Sequence, residues 1–405
     1  MREQGCSGQK EYQLRILLDR FLKQLIRHGR FSVVWPDGSR SDYGDNDFHR
    51  AAITISSNRT VLALALNPAL AIGEAYVDET LKPLDCSLQD VLVLMLANAN
   101  AAWRDIPLLR TRMWLARVLR PLRQANNARR ARRNIALHYD LSGRLYSLFL
   151  DRDRQYSCGY FPRGDESIDE AQAAKKRHIA AKLKLDRPNL TVLDIGCGWG
   201  GMALTLARDY GAIVTGITLS AEQLDEARAR AAAEGLSDRV TFELLDYRAM
   251  DRQFDRIVSV GMFEHVGRAQ LKGYFSKLRR LLRPGGLVLN HGITAGGIDN
   301  PELGSGMGEF IEKYIFPGGE LTHISNVLAT LTDGGLEDLD VENLRPHYAR
   351  TLWAWSDALE ARLPEARVIL GEEQGERSLR AYRMYLAGCA MGFEHGWVAL
   401  HQVLA

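Results

Sequence analysis

A glycine-rich turn between an apolar run and a helical period is the sharpest chemical signal of the chain. Residues Val192–Gly201 read VLDIGCGWGG, and they include Gly196, Gly198 and Gly200. Because glycine has no Cβ, it adopts positive φ without strain and lets the backbone approach a ligand closely. The string also satisfies GxGxxG, the fingerprint of dinucleotide-binding folds. The motif therefore predicts a nucleotide-like cofactor at the end of a first strand.

The side chains around this turn discriminate between two cofactors. A dinucleotide site expects an acid at the end of the second strand, roughly 20 residues after the glycines, but Thr218, Leu219 and Ser220 occupy that position. Asp194 instead stands two residues before the first glycine, which is typical of S-adenosylmethionine-dependent methyltransferases. We therefore favour S-adenosylmethionine over a nicotinamide cofactor. A turn that serves only chain geometry is the structural alternative.

Three further polar or aromatic residues have both a functional and a structural interpretation. Asp246 and Tyr247 follow a third predicted strand, where a carboxylate and a ring could bracket an adenine, although an Asp in this place more often caps a helix. Gln223 stands three residues after Ser220. It fits the second position of a capping box as well as it fits a ligand contact.

Apolar runs alternate with helical periods from about residue 190 onward. The predicted strands are Thr191–Ile195, Ile213–Ile217, Arg239–Glu243, Arg256–Val260 and Leu287–Asn290. One helical period extends from Ser220 to the stop at Gly235, and another extends from Leu271 to Leu282. This alternation predicts an α/β fold with a parallel sheet and helices on both faces.

The chain before residue 103 has a different pattern, which predicts a small α+β domain over residues 1–102. Two short β-branched runs, Phe31–Val34 and Ala51–Ser56, are separated by a turn at Pro36–Gly38. An apolar helical stretch, Leu88–Ala97, follows them.

Residues 103–150 predict a basic amphipathic helical linker between the two domains. Between Trp103 and Arg133 the only acid is Asp105. The basic residues are Arg104, Arg110, Arg112, Arg117, Arg120, Arg123, Arg129, Arg130, Arg132 and Arg133. They alternate with leucines, which is typical of a helix on an anionic membrane surface. A solvated interdomain helix is the alternative.

Composition limits the remaining function classes. The chain has 405 residues with 52 basic and 50 acidic side chains, a net charge of +2, which argues against a bulk nucleic-acid binder. The cysteines are Cys6, Cys86, Cys158, Cys197 and Cys389, without zinc-ligand spacing, and we interpret them as reduced thiols. The polar N-terminus and the short apolar runs predict a cytoplasmic protein without a signal peptide, a membrane span or a metal.

Five motifs together carry a resemblance to a known family. They are His138–Asp140, Tyr156–Tyr160 (YSCGY), Gly216–Ser220, Gly261–Gly267 (GMFEHVG) and His347–Tyr348. In this order and spacing they resemble the cyclopropane-fatty-acyl-phospholipid synthases, which include the mycolic-acid cyclopropane synthases. The resemblance implies a Rossmann-like class I methyltransferase domain over residues 151–405, with a mostly parallel seven-stranded sheet. It also implies a lipid-associated N-terminal domain.

The resemblance implies roles for individual residues. The cofactor set comprises Tyr156, Ser157, Asp194, Gly196, Gly198, Gly200, Thr218, Leu219, Gln223, Asp246 and Tyr247. The set implied to hold a catalytic bicarbonate comprises Cys158, Glu264, His291, Ile293 and Tyr348. Backbone N–H groups near Cys158 and Ile293 are expected to complete the anion cage. Cys389 matches a cysteine once assigned as an active-site thiol, although a packing role is the commoner one for such a residue.

The reaction implied is methylene transfer to the cis double bond of an unsaturated acyl chain in a phospholipid. Its expected partner is an anionic membrane surface on the cytoplasmic side, with a homodimer as an open possibility. Three alternatives remain at this point: a methyl- or methylene-branching transfer, N-methylation with Glu264 and His265 as base, and a non-enzymatic lipid-binding role. Glu74–Leu81 departs from the family by lacking its usual aromatics, and His138–Arg144 lacks the usual Asn-Asp pair.

Overall fold

The computed structural model describes residues 15–45, 49–105, 143–298, 307–316, 320–371 and 373–405. Most of the predicted basic linker, with its arginines from 110 to 133, and the His138–Asp140 motif lie outside these residues. The chain forms two compact units. The first comprises Met1–Pro121, Pro301–Ile315 and Leu370–Met391, and the second comprises Leu122–Asn300, Phe316–Ile369 and Gly392–Ala405. This division differs from the linear domains 1–102, 103–150 and 151–405.

The first unit contains a four-stranded mixed sheet in the order β2-β1-β3-β4. Its strands are β1 Arg30–Val34, β2 Arg40–Tyr43, β3 Arg50–Ile55 and β4 Leu81–Pro83. The Pro36–Gly38 turn leads directly into β2, a strand that the sequence analysis did not predict because RSDY is polar. β1 pairs antiparallel with β2 and parallel with β3, so the α+β prediction holds for this unit.

Helices from both ends of the chain complete the first unit. Residues 15–25 form α1. The others are α2 Asn58–Leu66, α3 Pro68–Val77, α4 Leu88–Asp105, α10 Met307–Tyr314 and most of α14 Glu373–Glu394. The α10 helix packs closely on α3, because a Cβ added at Gly73 would lie 2.5 Å from Phe310 Cδ2. Lys313 pairs with Glu74, and Arg380 pairs with Glu79 at 2.6 Å. These contacts explain why α10 and α14 group with the N-terminal elements.

The second unit is built on a seven-stranded sheet in the order β10-β11-β9-β8-β5-β6-β7. Its strands are β5 Thr191–Ile195, β6 Ile213–Thr218, β7 Val240–Leu244, β8 Phe254–Val260, β9 Leu282–Ala295, β10 Asp340–Asn343 and β11 Val398–Leu404. The five strands β9, β8, β5, β6 and β7 run parallel. β11 is antiparallel to β9, and the edge strand β10 is antiparallel to β11, so only β11 runs against the other six. The predicted Rossmann-like α/β class is confirmed.

Helices and short 3₁₀ turns connect these strands. The helices are α5 Gly143–Phe149, α6 Ile168–Lys182, α7 Gly201–Tyr210, α8 Ala221–Ala233, α9 Leu271–Leu281, α11 Ile324–Asp333, α12 Arg345–Ala361 and α13 Leu363–Leu370. One predicted boundary is wrong: β9 begins at Leu282 rather than at Leu287. The strand runs through Pro284 and two glycines because the β8–β9 register shifts between Phe254 and Arg256, which accommodates the irregular segment.

The described helices include none that is both long enough and apolar enough to cross a bilayer.

Candidate active site

A cleft opens at the carboxyl ends of the parallel strands in the second unit. Its walls come from the residues that follow β5, β6, β7 and β8 and from the segment 154–157. About 1230 Å³ of space that is open to solvent lies between these walls. The predicted cofactor residues that line it are Tyr156, Ser157, Asp194, Gly196, Gly198, Thr218, Leu219, Gln223, Asp246 and Tyr247.

The glycines of the turn have different tasks. Gly196 and Gly198 line the cleft with φ of +76° and +54°, and no other atom lies within 4 Å of a Cβ added at Gly198. A Cβ at Gly200 would instead lie 2.7 Å from Phe242 Cζ and 3.1 Å from Ala227 Cβ. Gly200 is not among the cleft-lining residues. Close packing on β7 and α8 therefore explains why position 200 is a glycine, and its expected contact with the cofactor stays a prediction.

Asp194 has an unsatisfied carboxylate oxygen. The side chain is buried at the end of β5, and burial raises its pKa to about 7. Its Oδ2 atom has no hydrogen-bond partner among the described residues. A buried oxygen of this kind calls for a donor or a cation. S-adenosylmethionine carries both an ammonium and a sulfonium group, so this residue fits that cofactor.

Gln223 turns toward the cleft instead of closing a capping box. Ser220 Oγ accepts from the Gln223 N–H at 3.3 Å, as predicted. The Ser220 N–H, however, donates to Thr218 Oγ1 at 3.2 Å, and the Thr218 hydroxyl donates to Gln223 Oε1 at 2.9 Å. The capping-box prediction is therefore wrong in its second half. These contacts leave the Gln223 amide nitrogen at the cleft wall.

Asp246 combines its two suggested roles. Its Oδ1 atom accepts from the Arg248 N–H at 3.0 Å and caps the 3₁₀ turn Tyr247–Ala249. Its Oδ2 atom lies 3.2 Å from the Arg248 guanidinium, which also sits 5.2 Å from the Tyr247 ring centroid. All three residues line the cleft. The cap and the guanidinium hold the carboxylate and the ring in place at this end of the site.

Glu264 forms a second buried acid, which does not line the cofactor cleft. It lies in the 3₁₀ turn Phe263–His265, and its Oε1 atom accepts from the Ile293 N–H at 2.7 Å. Burial raises its pKa to about 7, and its Oε2 atom has no partner among the described residues. The Ile293 N–H, which was expected to complete the anion cage, donates to Glu264 in this structure, and its role toward an anion stays a prediction.

His291 lies two residues before Ile293 on β9. Its main-chain oxygen accepts from the N–H of Gly261, a cleft residue, at 2.8 Å. Burial is the main cause that lowers its pKa to about 3, so the ring is neutral. The Nδ1 atom lies 3.2 Å from Gln402 Nε2, whereas Nε2 is buried with no partner in the described chain.

Cys158 and Tyr348 are joined through Leu344. The Cys158 thiol donates to its neighbour's carbonyl, Gly159 O, at 3.1 Å and lies 4.0 Å from Leu344 O. The Tyr348 N–H donates to Leu344 O at 3.1 Å. Burial raises the pKa of Cys158, so this thiol is protonated at neutral pH. Cys389 belongs to the other compact unit, and burial raises its pKa to about 12, which disfavours a thiolate nucleophile.

Comparison with known proteins places this geometry in a family. The family model described as mycolic acid cyclopropane synthetase matches residues 126–403, well over half of the chain. The chain belongs to the mycolic acid cyclopropane synthetase family. A second model, a domain of unknown function, matches residues 17–106. The family assignment and the class I fold establish this protein as an S-adenosylmethionine-dependent C-methyltransferase.

Three relatives show how far the similarity extends. A protein named "Probable fatty acid methyltransferase" from Pseudomonas putida is 50% identical over 287 residues, which is 70% of this chain and 72% of that protein. The Escherichia coli cyclopropane-fatty-acyl-phospholipid synthase is 41% identical over 66% of each chain. A Mycobacterium tuberculosis tuberculostearic acid methyltransferase is 33% identical over 95% of this chain and 90% of its own.

Solved structures agree with the fold of the second unit. A mycolic acid cyclopropane synthase in complex with SAH and CTAB superposes with a TM-score of 0.63 at 37% identity. The match covers 67% of this chain and 97% of that one. The S-adenosylmethionine assignment therefore rests on both the family and the fit of the cleft.

Sequence analysis missed a buried lysine beneath the cofactor segment of this cyclopropane synthetase family member. Lys175 on α6 is fully buried, and burial lowers its pKa to about 8. Its Nζ atom donates to Gln155 Oε1 at 2.6 Å and to Ser157 Oγ at 2.9 Å. Both acceptors belong to cleft residues. The available signal was a lysine among the small apolar residues of the inward face of α6.

Ion pairs with α6 and α8 also hold the segment that includes Asp153 and Arg154. Asp153 pairs with Lys176 on α6 and with Arg230 on α8. Burial alone would raise the pKa of Asp153, but the two cations outweigh this effect and lower the pKa overall. Arg230 also donates to the Trp199 carbonyl of the glycine turn at 2.8 Å. Arg154 lies 2.6 Å from Glu226. The segment that carries Tyr156 and Ser157 is thereby fixed against the glycine turn.

Proposed function

We propose that the enzyme transfers a methylene unit from S-adenosylmethionine to the cis double bond of an unsaturated phospholipid acyl chain and so forms a cyclopropane ring. The observation that carries this proposal is a pair of buried polar atoms, Glu264 Oε2 and His291 Nε2, on elements adjoining the cofactor cleft, and neither atom has a partner in the part of the chain that the structure describes. Natural proteins seldom leave such atoms unsatisfied without a functional reason.

The reaction explains why a polar site is needed beside the cofactor. S-adenosylmethionine supplies an electrophilic methyl group when it is bound. An alkene that accepts this methyl group becomes a carbocation, and ring closure then requires that the new methyl group lose a proton. The proton acceptor must lie beside the reacting carbon, where water cannot trap the cation.

The chain's own residues support a small oxyanion as that acceptor. Glu264 Oε2 accepts or shares a proton, since its pKa near 7 allows both forms at neutral pH. Neutral His291 offers a donor. Bicarbonate has a hydroxyl for Glu264 and oxygens for His291, and bound there it would act as the base. Tyr348 and Cys158 are the further holders that the family resemblance implies.

Aromatic side chains support the exclusion of water. The Tyr156 ring centroid lies 5.1 Å from Tyr146 and 5.3 Å from Trp355. Phe316 stacks on it at 6.5 Å, and the Tyr348 ring lies 4.6 Å from Phe393. A wall of aromatic rings accommodates an apolar acyl chain, and the faces of the rings keep bulk water away from a carbocation.

A methyl- or methylene-branched product is the second candidate. The relative that aligns over 95% of this chain is named a tuberculostearic acid methyltransferase, and the Pseudomonas putida relative is named a fatty acid methyltransferase. Such a transfer uses the same cofactor cleft and the same first C–C bond. The two candidates differ only in where the cation loses its proton.

Product analysis with a deuterated methyl donor separates these candidates. We expect vesicles of cis-monounsaturated phosphatidylglycerol to yield a phospholipid heavier by one methylene that retains two deuterons and takes up no hydrogen under mild hydrogenation, because a ring carbon keeps two of the three label atoms. A methyl-branched alkene, which forms when the cation loses a proton from a chain carbon, retains three deuterons and takes up hydrogen. A methylene branch retains two but takes up hydrogen, so either result would reject ring formation.

The proposed substrate location is the surface of an anionic membrane on the cytoplasmic side. The support is the sequence from Trp103 to Arg133, where ten arginines alternate with leucines. Basic residues near an anionic leaflet contribute about 1 kcal/mol each. Binding is expected to need anionic lipid and to weaken with salt, since exposed charges are screened within about 8 Å at physiological ionic strength.

Charge removal tests this membrane contact. The combined variant Arg129→Gln, Arg130→Gln, Arg132→Gln and Arg133→Gln should sediment less with phosphatidylglycerol vesicles and lose activity on them, while S-adenosylmethionine affinity stays constant. A matched control removes four exposed arginines from the second unit, Arg152, Arg163, Arg208 and Arg252. Equal loss in both variants, or equal binding to neutral and anionic vesicles, would remove this proposal.

A further inference from the structure

Gln402 and His291 form a buried polar pair in a sheet row that continues to Glu342 on β10 and to Val260 on β8. They are directly opposite each other in the antiparallel β11–β9 register. Gln402 is 0% exposed and His291 is 1% exposed. Along β11, the neighbours on the same face are Leu400 and Leu404, which are also buried. Burying an amide among leucines costs free energy unless it is hydrogen-bonded, so the pair requires an explanation.

The contact between the two side chains fixes the position of the imidazole proton. The Gln402 amide is oriented with its Nε2 atom 3.2 Å from His291 Nδ1 and with its Oε1 atom buried without a partner among the described residues. In this orientation the amide nitrogen donates to the ring. Nδ1 must therefore accept, and a neutral ring then carries its proton on Nε2. That atom is the buried one without a partner in the described chain. Lys175, Lys182 and His178 on α6 oppose a second proton on the ring.

We propose that Gln402 is a positioning residue that holds His291 as the Nε2–H tautomer and so directs an N–H donor at the oxyanion base. This inference rests on the proposed function, because the oxyanion is the acceptor that the donor would serve. The orientation of His291 would explain why the chain keeps a buried glutamine despite the free-energy cost of burying its amide. Without Gln402 the ring divides between two tautomers, and one of them presents a lone pair to an anion.

Nitrogen-15 NMR of histidine-labelled protein tests the tautomer directly. In the wild type we expect His291 to show a protonated Nε2 and an unprotonated Nδ1. Gln402→Met keeps the side-chain length but cannot donate, so Nδ1–H signal should appear. Turnover should fall by about 10-fold or more, as for other residues that orient a functional imidazole, while S-adenosylmethionine affinity is unchanged.

A matched control lies on the opposite face of the same strands. Thr294 Oγ1 bonds His401 Nδ1 at 2.9 Å across β9 and β11, and both side chains are buried. Thr294→Val should lower the melting temperature comparably without altering the His291 signals or kcat. If wild-type His291 carries its proton on Nδ1, or if Gln402→Met changes neither its signals nor kcat, the inference is overturned.

The proposed function would be rejected by a different result from the one that overturns the role of Gln402. A wild-type rate that does not respond to bicarbonate depletion would reject the base, yet the tautomer would still be readable in the same sample. A Gln402-dependent tautomer with no change in kcat would overturn the positioning role alone.

Discussion

Gly198→Val is expected to abolish S-adenosylmethionine binding while the protein remains folded. The Cα of Gly198 faces open cleft space, with no other atom within 4 Å of an added Cβ. A valine side chain would occupy the volume of the ligand, so affinity should fall by at least about 100-fold, which corresponds to roughly 2.7 kcal/mol. The measurement is the rise in melting temperature with S-adenosylmethionine, which stabilises by binding only the folded state.

Backbone strain must be separated from loss of the ligand space. Gly198 has φ of +54°, so any side chain there costs about 1–2 kcal/mol. Gly235, at the end of α8, has φ of +67° and an equally open Cβ position, but it does not line the cleft. Gly235→Val should therefore lower the basal melting temperature similarly and keep the full ligand shift. A normal shift in Gly198→Val, or a shift of the wild type with NADH alone, would contradict the cofactor assignment.

The glycine turn shows both the reach and the limit of sequence reasoning. The spacing of Gly196, Gly198 and Asp194 predicts a cofactor turn, and all three line the cleft. The same pattern includes Gly200, whose constraint comes from Phe242 and Ala227. Those residues are distant in sequence and meet Gly200 only after the β7 strand and the α8 helix have packed. Local patterns cannot distinguish a glycine required by a ligand from one required by a neighbouring helix.

The polar residues of the site show a similar division. The family resemblance implied functional roles for Glu264 and His291, and both are buried with one polar atom that has no partner among the described residues. It was not predictable that Glu264 takes the Ile293 N–H, since this depends on how a 3₁₀ turn packs beside β9. Lys175 was missed because its helix has a mixed small-and-polar pattern, in which one buried lysine resembles a solvated one.

Unit composition was the least predictable feature of the fold. In sequence, α10 follows β9 and α14 precedes β11, so both helices lie between strands of the second-unit sheet. They nevertheless contact α3 and the turn after it in the first unit, through Gly73, Glu74 and Glu79. An amphipathic period indicates a helix but does not identify the surface on which the helix packs. Polar pairs between distant segments, such as Lys313 with Glu74, carry that information only in three dimensions.

Glu264→Gln is expected to slow turnover strongly while it stabilises the protein at alkaline pH. Gln keeps an oxygen for the Ile293 N–H but cannot take a proton from an oxyanion, so kcat should fall by about 100-fold. S-adenosylmethionine affinity should be retained, because Glu264 does not line the cleft. Added bicarbonate should restore part of the rate by mass action. Initial rates in carbonate-depleted buffer, titrated with bicarbonate, measure this response.

The pH dependence of stability tests the burial of Glu264 independently of enzyme activity. Burial raises the pKa of Glu264 from 4.5 to about 7, so the folded protein binds its proton more tightly than the unfolded chain does. The stability from this group is complete below pH 4.5 and is lost as pH rises through 7. Since Gln does not ionise, the melting temperature of Glu264→Gln relative to the wild type should increase between pH 5 and 8.

Glu342 provides the opposite case in the same unit. Burial raises its pKa, but hydrogen bonds and charge interactions with His178 and Lys182 outweigh this and lower it overall. Glu342→Gln should therefore lose stability relative to the wild type as pH rises toward 4.5, with no further change from this group between pH 5 and 8, and its bicarbonate response should be unchanged. If both variants shift the same way with pH, the buried-acid assignment of Glu264 is wrong. If Glu264→Gln retains wild-type rates at every bicarbonate concentration, the substrate proton leaves by a route that does not involve this carboxylate.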